Sequence, residues 1–497
     1  MTYRSLSWIS LIGAIVAFAL CVARVYSVIS FSEPLQSVTS GDEQASLLAI
    51  WKVAHGQTVY TDRFRAPFTL YSYNWLFAQV YGAVVGVVSA ALRLGDAWLP
   101  TIARMVTICG ACWIGVATYR SFVEASPASS PAHRRHCLAL AALLAFGPLG
   151  GFWVATTRPD IWALALEITG TLLFLRLYPR DRVGALAAAV ALAYLAWAFK
   201  QTAVLFTGTT GLFLIFRRDW RSAVVLAVTL IAAWAATFAV GGHDYATAIL
   251  FGDAPLSYDI ARGVRNALNA AVKTIPVVAG VAVLAFVFLS SPTLRRAAYA
   301  DDRLLFASLG VCLSAAFSIP TSTQTGASEN YFFTLTYFMA LALVSGVVLI
   351  QRQDIALPNV FLVLSAASWG ALVVAVSLVF AGVQGTVGVQ SHHAAYMAKK
   401  ACLDRMPRPL FVNDRYMSLP WMTPGNDPYV LSYLYERERR MNRPFEDGGV
   451  GGRIAAGYFA SLAIGGDKIP ERLDGASLES YRRAPYACPG LLVMLRK

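Results

Sequence analysis

The chain has 497 residues, 57% of them hydrophobic and only 14% charged, with a mean hydropathy of +0.55. A water-soluble protein of this length cannot bury so much apolar surface, so lipid must be the solvent for much of it. The formal charge of +13 is carried by lysines and arginines clustered between apolar runs, the habit of cytoplasmic loops, and nothing in it calls for a nucleic-acid partner.

In chain order, Leu6–Ile29 is the first apolar run. It lacks a small-residue cleavage motif at its end, so it reads as a membrane span that doubles as the targeting signal. The loop 30–67 follows. Within it, Ser40-Gly41-Asp42-Glu43 matches the S-x-x-E capping box, and Leu47, Ile50, Trp51 and Ala54 fall on one helical stripe, which predicts a short amphipathic helix. The box accounts for Glu43 as a cap, but it does not require Asp42. Two arginines, Arg63 and Arg65, close the loop.

Further runs long enough to cross are Phe68–Leu92, Ile102–Thr118, Cys137–Ala155, Ile161–Leu177, Val183–Phe199 and Thr202–Phe216, then Ser222–Val240, Ile275–Leu289, Leu304–Ile319, Phe332–Ile350 and Asn359–Phe380. The expectation is an all-α polytopic membrane domain of about 11–13 helices over residues 1–383, at 1.5 Å rise per residue across about 30 Å of hydrocarbon. Cys109 and Cys112 form a CxxC inside an apolar run without a second pair or a nearby histidine; it reads as a small-residue helix face. The seven cysteines show no disulfide-framework spacing.

Arg176–Arg182, Arg217–Arg221, Leu294–Arg303 and Gln351–Asp354 are the basic, cytoplasmic loops. Alternation then places 30–67, Thr156–Asp160, Lys200, Gly241–Lys273, Pro320–Asn330 and everything after 380 on the opposite face. Three apolar runs lie between loop 30–67 and Asp160, where an even number is needed, and His133–His136 marks its own loop as cytoplasmic. One of the three must therefore be re-entrant, interfacial or broken.

From residue 384 apolar runs shorten and charge spreads evenly, which predicts a small soluble α/β domain of about 110 residues over 384–497. "PLFVNDRYMSLPW" and "GLLVMLRK" read as buried strands, with "DPYVLSYLYERERRM" as a helix between them. Asp414 and Asp427 read as turn and cap residues. His392-His393 lacks partner ligands and reads as surface. Gly448–Arg453 is glycine-rich but lacks the ending of a phosphate loop.

The outer-facing polar groups gather into one chemistry: carboxylates Asp42, Glu43, Asp160 and Glu329, cations Arg63, Arg65, Arg158 and Lys200, with Asn330 and Tyr331 beside Glu329. A lipid phosphate needs cationic partners as its charge develops. An acceptor hydroxyl needs a carboxylate base. A divalent cation, with Asp42 and Asp160 as candidate ligands, is compatible with that work but not required by it.

A first span followed by "GDEQASLLAIWKVAHGQTVYTDRFRAPFTLYSYNW" resembles the opening of the GT-C glycosyltransferases, in particular the protein mannosyltransferase and lipid A aminoarabinose transferase group. "TRPDIWALALEITG", "AFKQTA" and "SENYFF" are similar to the group's second acidic loop, span-end lysine and late outer loop, so the resemblance covers roughly residues 6–350 as weak motifs in order. It implies a bacterial membrane enzyme of the inner membrane, with active site and C-terminal domain on the periplasmic side. It would move a sugar, with inversion, from a polyprenyl-phosphate donor to a lipid, glycan or protein acceptor. The resemblance further implies Asp42 as base, Glu43 beside it, Asp160 in acceptor orientation or metal binding, and Lys200, Arg63, Arg65 and Arg158 on the donor phosphate; Glu329, Asn330 and Tyr331 would meet substrate. The chain departs from the group at Arg65-Ala66-Pro67, where many bacterial members have Lys-Pro-Pro, and it lacks the β-trefoil insertion of the eukaryotic members.

Two other readings compete. A transporter or flippase would also carry intramembrane charge and broken helices, although the charges here sit in loops and the two halves do not mirror each other. A ligase taking a pyrophosphate-linked glycan would rely on a large outer loop late in the chain.

Overall fold

The computed structural model describes residues 3–35, 43–69, 71–125, 131–252, 257–324, 326–353, 358–376, 382–413, 419–425, 444–465 and 478–497. Asp42, Asp414, Asp427 and the helix expected over 427–441 lie outside the described residues, as does the Ser40 end of the capping box. The chain folds as two compact units, one of Met1–Tyr26, Val106–Ala239 and Tyr258–Val383, the other of Ser27–Met105, Val240–Ser257 and Gln384–Lys497.

The first unit is helical throughout. It comprises most of α1 (Tyr3–Val28) and of α4 (Leu99–Ala125), then α5 (Pro131–Phe146), α6 (Asp160–Leu177), α7 (Arg182–Phe199) and α8 (Leu205–Phe216). It continues through the first part of α9 (Trp220–Phe251), α10 (Ile260–Ser290), α11 (Pro292–Ala300), α12 (Asp302–Thr321), α13 (Phe333–Arg352) and α14 (Pro358–Val376). Helix α13 is the hub. Its apolar residues are buried almost all round, as a helix surrounded by others must be. Phe174, Phe213, Phe306, Phe338 and Tyr337 form the aromatic centre of the core. Gly13 of α1 lies against Gly370 of α14 so closely that a Cβ at Gly13 would sit 2.1 Å from the Gly370 Cα. Small residues permit this approach where lipid supplies no hydrophobic drive to helix pairing.

Among the described residues, eight helices are long and apolar enough by themselves to cross a membrane, so the chain is a multi-pass membrane protein. Of the four remaining expected crossings, Asn359–Phe380 lies partly outside the described residues, and the other three depart from that standard for physical reasons. Helix α6 has the length but carries Asp160, Glu167 and Arg176. Helix α8 has only 12 residues. The run Cys137–Ala155 is broken: α5 stops at Phe146, the chain turns, and a 3-10 segment occupies Gly151–Ala155. That break falls in one of the three runs among which the sequence required one to be re-entrant, interfacial or broken, without saying which.

The second unit contains α2 (Glu43–Ala54), α3 (Trp75–Leu92), the end of α9, α15 (Gly382–Leu403), a short α16 (Gly449–Ala455) and a four-stranded sheet. Strands β1 (Leu410–Asn413), β2 (Ser461–Gly465), β3 (Tyr481–Arg483) and β4 (Leu491–Arg496) lie in the order β1-β2-β4-β3. β1 pairs parallel to β2, and β4 runs antiparallel to both β2 and β3. Segment 384–497 therefore belongs to the same compact unit as 27–105. Phe64 and Phe68, from the loop before α3, sit in the hydrophobic core of the sheet with Phe411, Phe445, Phe459 and Leu462. Cys402 of α15 is disulfide-bonded to Cys488, a pairing across 86 residues that leaves no short-range spacing to read.

Candidate functional site

In the first unit, a proline at the head of α6 sets the first feature. Pro159 precedes Asp160 and fixes the helix start, so the Asp160 carboxylate sits in the first turn, where the helix dipole favours negative charge. Lys200 is the C-terminal cap of α7, the end that favours a cation. The two meet, with Lys200 Nζ 2.5 Å from Asp160 Oδ1. Asn330 Nδ2 donates to the same oxygen at 2.6 Å, and Arg158 Nε lies 3.7 Å from Oδ2. Tyr331 offers its ring face to Lys200 Nζ at 5.0 Å, and Trp153 does the same for the Arg158 guanidinium at 4.6 Å. Asp160 is almost fully buried, and Lys200 keeps 12% of its side chain exposed. Two cations, Lys200 and Arg158, thus stand against the Asp160 carboxylate.

Glu167 lies two turns further along α6 on the same face. Its carboxylate accepts from the backbone N–H groups of Leu205 and Phe206 at 3.0 and 3.1 Å and from the Thr334 hydroxyl at 2.7 Å. It thus satisfies donors that the first turn of α8 leaves without intrahelical partners. A 12-residue helix rises about 18 Å, well short of the hydrocarbon thickness of about 30 Å. Arg217 and Arg218 follow its C-terminus; with such a basic end at the headgroups, a helix of this length would end inside the hydrocarbon. Non-helical backbone at such depth is tolerated where it is buried in protein or lines a cavity. Here the segment between Lys200 and Leu205 borders a narrow cleft, lined by Asp160, Glu167, Lys200, Asn330, Tyr331 and Thr334 on its polar side. Leu164, Phe317 and Phe333 form its apolar side.

Glu329 is drawn away from this group. Its carboxylate takes both hydrogen bonds from Lys273 Nζ, at 2.5 and 2.6 Å.

In the second unit, Glu43 opens α2 and is fully buried. Its carboxylate accepts from Arg104 Nε and Nη2 at 3.2 and 3.1 Å and from the Leu35 backbone N–H. Arg104 gives its remaining donors to the carbonyls of Val28, Phe31 and Glu33, so all five N–H groups of the guanidinium are used. Glu43 therefore has a tertiary role: it ties the start of α2 to Leu35 and to Arg104. Arg63 is buried with its guanidinium over the Phe64 ring at 5.3 Å, whereas Arg65 is exposed and lies 3.9 Å from Asp62.

The structure thus joins Asp160, Arg158, Lys200, Asn330 and Tyr331 in one cluster, pairs Glu329 with Lys273, and pairs Glu43 with Arg104. Arg104, Glu167 and Lys273 went unnoticed in the sequence because each sits within or beside an apolar run, with its partner 61, 38 and 56 residues away. His393, read as surface, instead lies 2.7 Å from Glu33 Oε1 through Nδ1 and stacks on Phe31 at 4.0 Å. Around Asp160 the partners are two cations and an amide, a set that does not fit a divalent cation. Among the described residues no three His, Cys, Asp or Glu side chains gather as a metal site would need.

No protein-family model matches the sequence, and no curated protein matches it either. Two crystal structures of the Archaeoglobus fulgidus oligosaccharyltransferase, one in complex with zinc and sulfate and one in the apo form, are similar at 13% identity with a TM-score of 0.44 each. The similarity covers 79% of this chain and 55% of the first, and 80% of this chain and 58% of the second. This chain thus matches little more than half the length of either. A likeness of that degree carries no activity across.

Proposed function

We propose that the chain is an inverting glycosyltransferase of the GT-C type. It moves a sugar from a polyprenyl-phosphate donor to a hydroxyl of a glycan, lipid or protein acceptor on the extracytoplasmic side. The observation that carries this reading is the cluster of Asp160, Lys200, Arg158 and Asn330 at the head of a cleft recessed into the membrane domain. Its cations Lys200 and Arg158 suit a phosphate, its tyrosine and asparagine suit a polar headgroup, and its apolar wall of Leu164, Phe317 and Phe333 suits a prenyl chain.

In the proposed reaction the acceptor oxygen attacks the anomeric carbon as the bond from that carbon to the donor phosphate oxygen breaks. The acceptor proton passes to the Asp42 carboxylate, and the polyprenyl phosphate leaves with its negative charge stabilised by Lys200 and Arg158. Asp160 holds Lys200 in place and orients polar groups of the substrate with Asn330. Glu43, held by Arg104, acts as a positioning residue for the loop that carries Asp42. Arg65 is a second candidate for the donor phosphate. The Cys402–Cys488 disulfide supports an extracytoplasmic place for 384–497, since such bonds persist in oxidising compartments.

One observation favours a transporter or flippase instead: Glu167 is a buried carboxylate at membrane depth beside an interrupted helix pair. Detergent solution separates the two readings, because a flippase needs two leaflets and a transferase does not. Purified protein in micelles should transfer radiolabel from a lipid-linked sugar fraction to an acceptor fraction of the same cells. Label that stays on the lipid in micelles while crossing the bilayer of proteoliposomes would decide for the transporter.

A further inference from the structure

The second unit contains another pocket, of about 150 Å³, between loop 60–69 and the end of α9. Asp62 and Arg63 stand on one wall, His243, Asp244 and Thr247 on the other, and Phe64 and Ala248 supply apolar surface.

Both walls are fixed from behind. On the loop side, Asp62 Oδ1 accepts from Phe64 N at 3.0 Å, and Phe64 is locked into the core of the sheet, its carbonyl accepting from Glu446 N at 2.9 Å. Tyr60 packs edge-on against Tyr245 at 4.9 Å and donates to the Tyr73 carbonyl at 2.8 Å. On the helix side, Gly242 has φ +75°, a left-handed kink that a side chain would strain, and His243 and Asp244 follow directly after it. A rim held this way loses little freedom when a ligand arrives.

The chemistry of the walls selects the ligand. Two carboxylates face one guanidinium, so there is no surplus positive charge for a phosphate or sulfate. Among the described residues no three metal-ligating side chains gather here or elsewhere. What remains is a dense mixture of acceptors and donors: carboxylates for paired hydroxyls, and guanidinium, imidazole and threonine hydroxyl for single ones.

We propose that this pocket is a saccharide subsite taking a neutral sugar ring, and that the ring belongs to the acceptor glycan. Only the second half of that statement rests on the transferase reading. The proposal also moves Arg63 from the donor phosphate to sugar hydroxyls.

The test uses the full chain in lipid nanodiscs, so that no glycoside detergent competes. Methyl glycosides of glucose, galactose, mannose and arabinofuranose are titrated by saturation-transfer NMR and calorimetry, with inorganic phosphate as the charged comparison. At least one glycoside should bind saturably. Asp244→Asn and Thr247→Val, both at accessible positions, should each weaken it tenfold or more with the thermal midpoint unchanged. Binding of no glycoside, glycoside binding untouched by both variants, or displacement by phosphate overturns the subsite. Where transfer is also measurable, both variants should raise the acceptor KM and leave the donor KM alone. Glycoside binding without any transfer would retire the transferase reading and keep the subsite; transfer without glycoside binding would do the reverse.

Discussion

The guanidinium of Arg104 and the carboxylate of Glu43 form a two-pronged pair in which neither side chain has any exposure. Burying two charges is costly unless the geometry is good and every remaining donor is satisfied. Here the carbonyls of Val28, Phe31 and Glu33 complete the set. The pair therefore acts as a knot at the base of the loop bearing Asp42. Arg104→Met or Glu43→Gln should lower stability by about 3–5 kcal/mol, the usual cost of stranding one buried partner. A fall in the thermal midpoint together with lost activity is the expected outcome. Variants that lose activity at an unchanged midpoint would place Glu43 in the chemistry instead.

Lys200 holds Asp160 at 2.5 Å and also borders the cleft, so its removal should be felt by the donor. Lys200→Ala is expected to raise the donor KM tenfold or more, about 1.4 kcal/mol at least of lost phosphate binding, with little change in acceptor KM. Lys200→Arg should recover part of it. Steady-state kinetics against lipid-linked sugar reads this directly. Equal donor KM in wild type and Lys200→Ala would remove the phosphate role.

Phe445 lies between Phe64 and Phe68, at 5.4 Å from each ring. Phe445→Ala opens a cavity in the core shared by the loop and the sheet and should cost about 3–5 kcal/mol. Because the loop carries Arg63 and Arg65, the loss should also appear as a raised substrate KM. A variant that is destabilised but kinetically normal would show that the sheet does not position the loop.

The Cys402–Cys488 bond closes a span of 86 residues, for which loop-closure entropy predicts about 4–5 kcal/mol of stabilisation at most. Cys402→Ser should lower the thermal midpoint to the value seen after reduction of the wild-type chain. The reductant should have no further effect on the variant. A midpoint insensitive to reductant in the wild type would contradict the bond's contribution.

The membrane class and the polar positions at the ends of apolar runs were legible from the sequence, because a charge at the edge of such a run stands out against it. Thr156–Asp160, Lys200 and Glu329–Tyr331 were each visible in this way, and the fold joins Arg158, Asp160, Lys200, Asn330 and Tyr331 while Glu329 turns to Lys273. Pairing was not legible. Nothing local to Arg104, Glu167 or Lys273 points to Glu43, to the N-terminus of α8 or to Glu329, because the carrier elements meet only through tertiary packing. The shortness of α8 was hidden for a related reason: hydropathy continues smoothly across Thr202–Leu205, while the helix begins only where Glu167 caps it. His393 and Glu33, 360 residues apart, make the same point at greater range.

The account depends most on a carboxylate at position 42 that takes a proton from an acceptor while a lipid-linked sugar is consumed. The direct measurement is the lipid extract of cells whose only copy carries Asp42→Asn, with the variant present in the membrane at the wild-type amount. One polyprenyl-phosphate monosaccharide should accumulate, as it should in cells lacking the chain, and should disappear when the wild-type chain is restored. A lipid profile indistinguishable from that of wild-type cells would contradict the account.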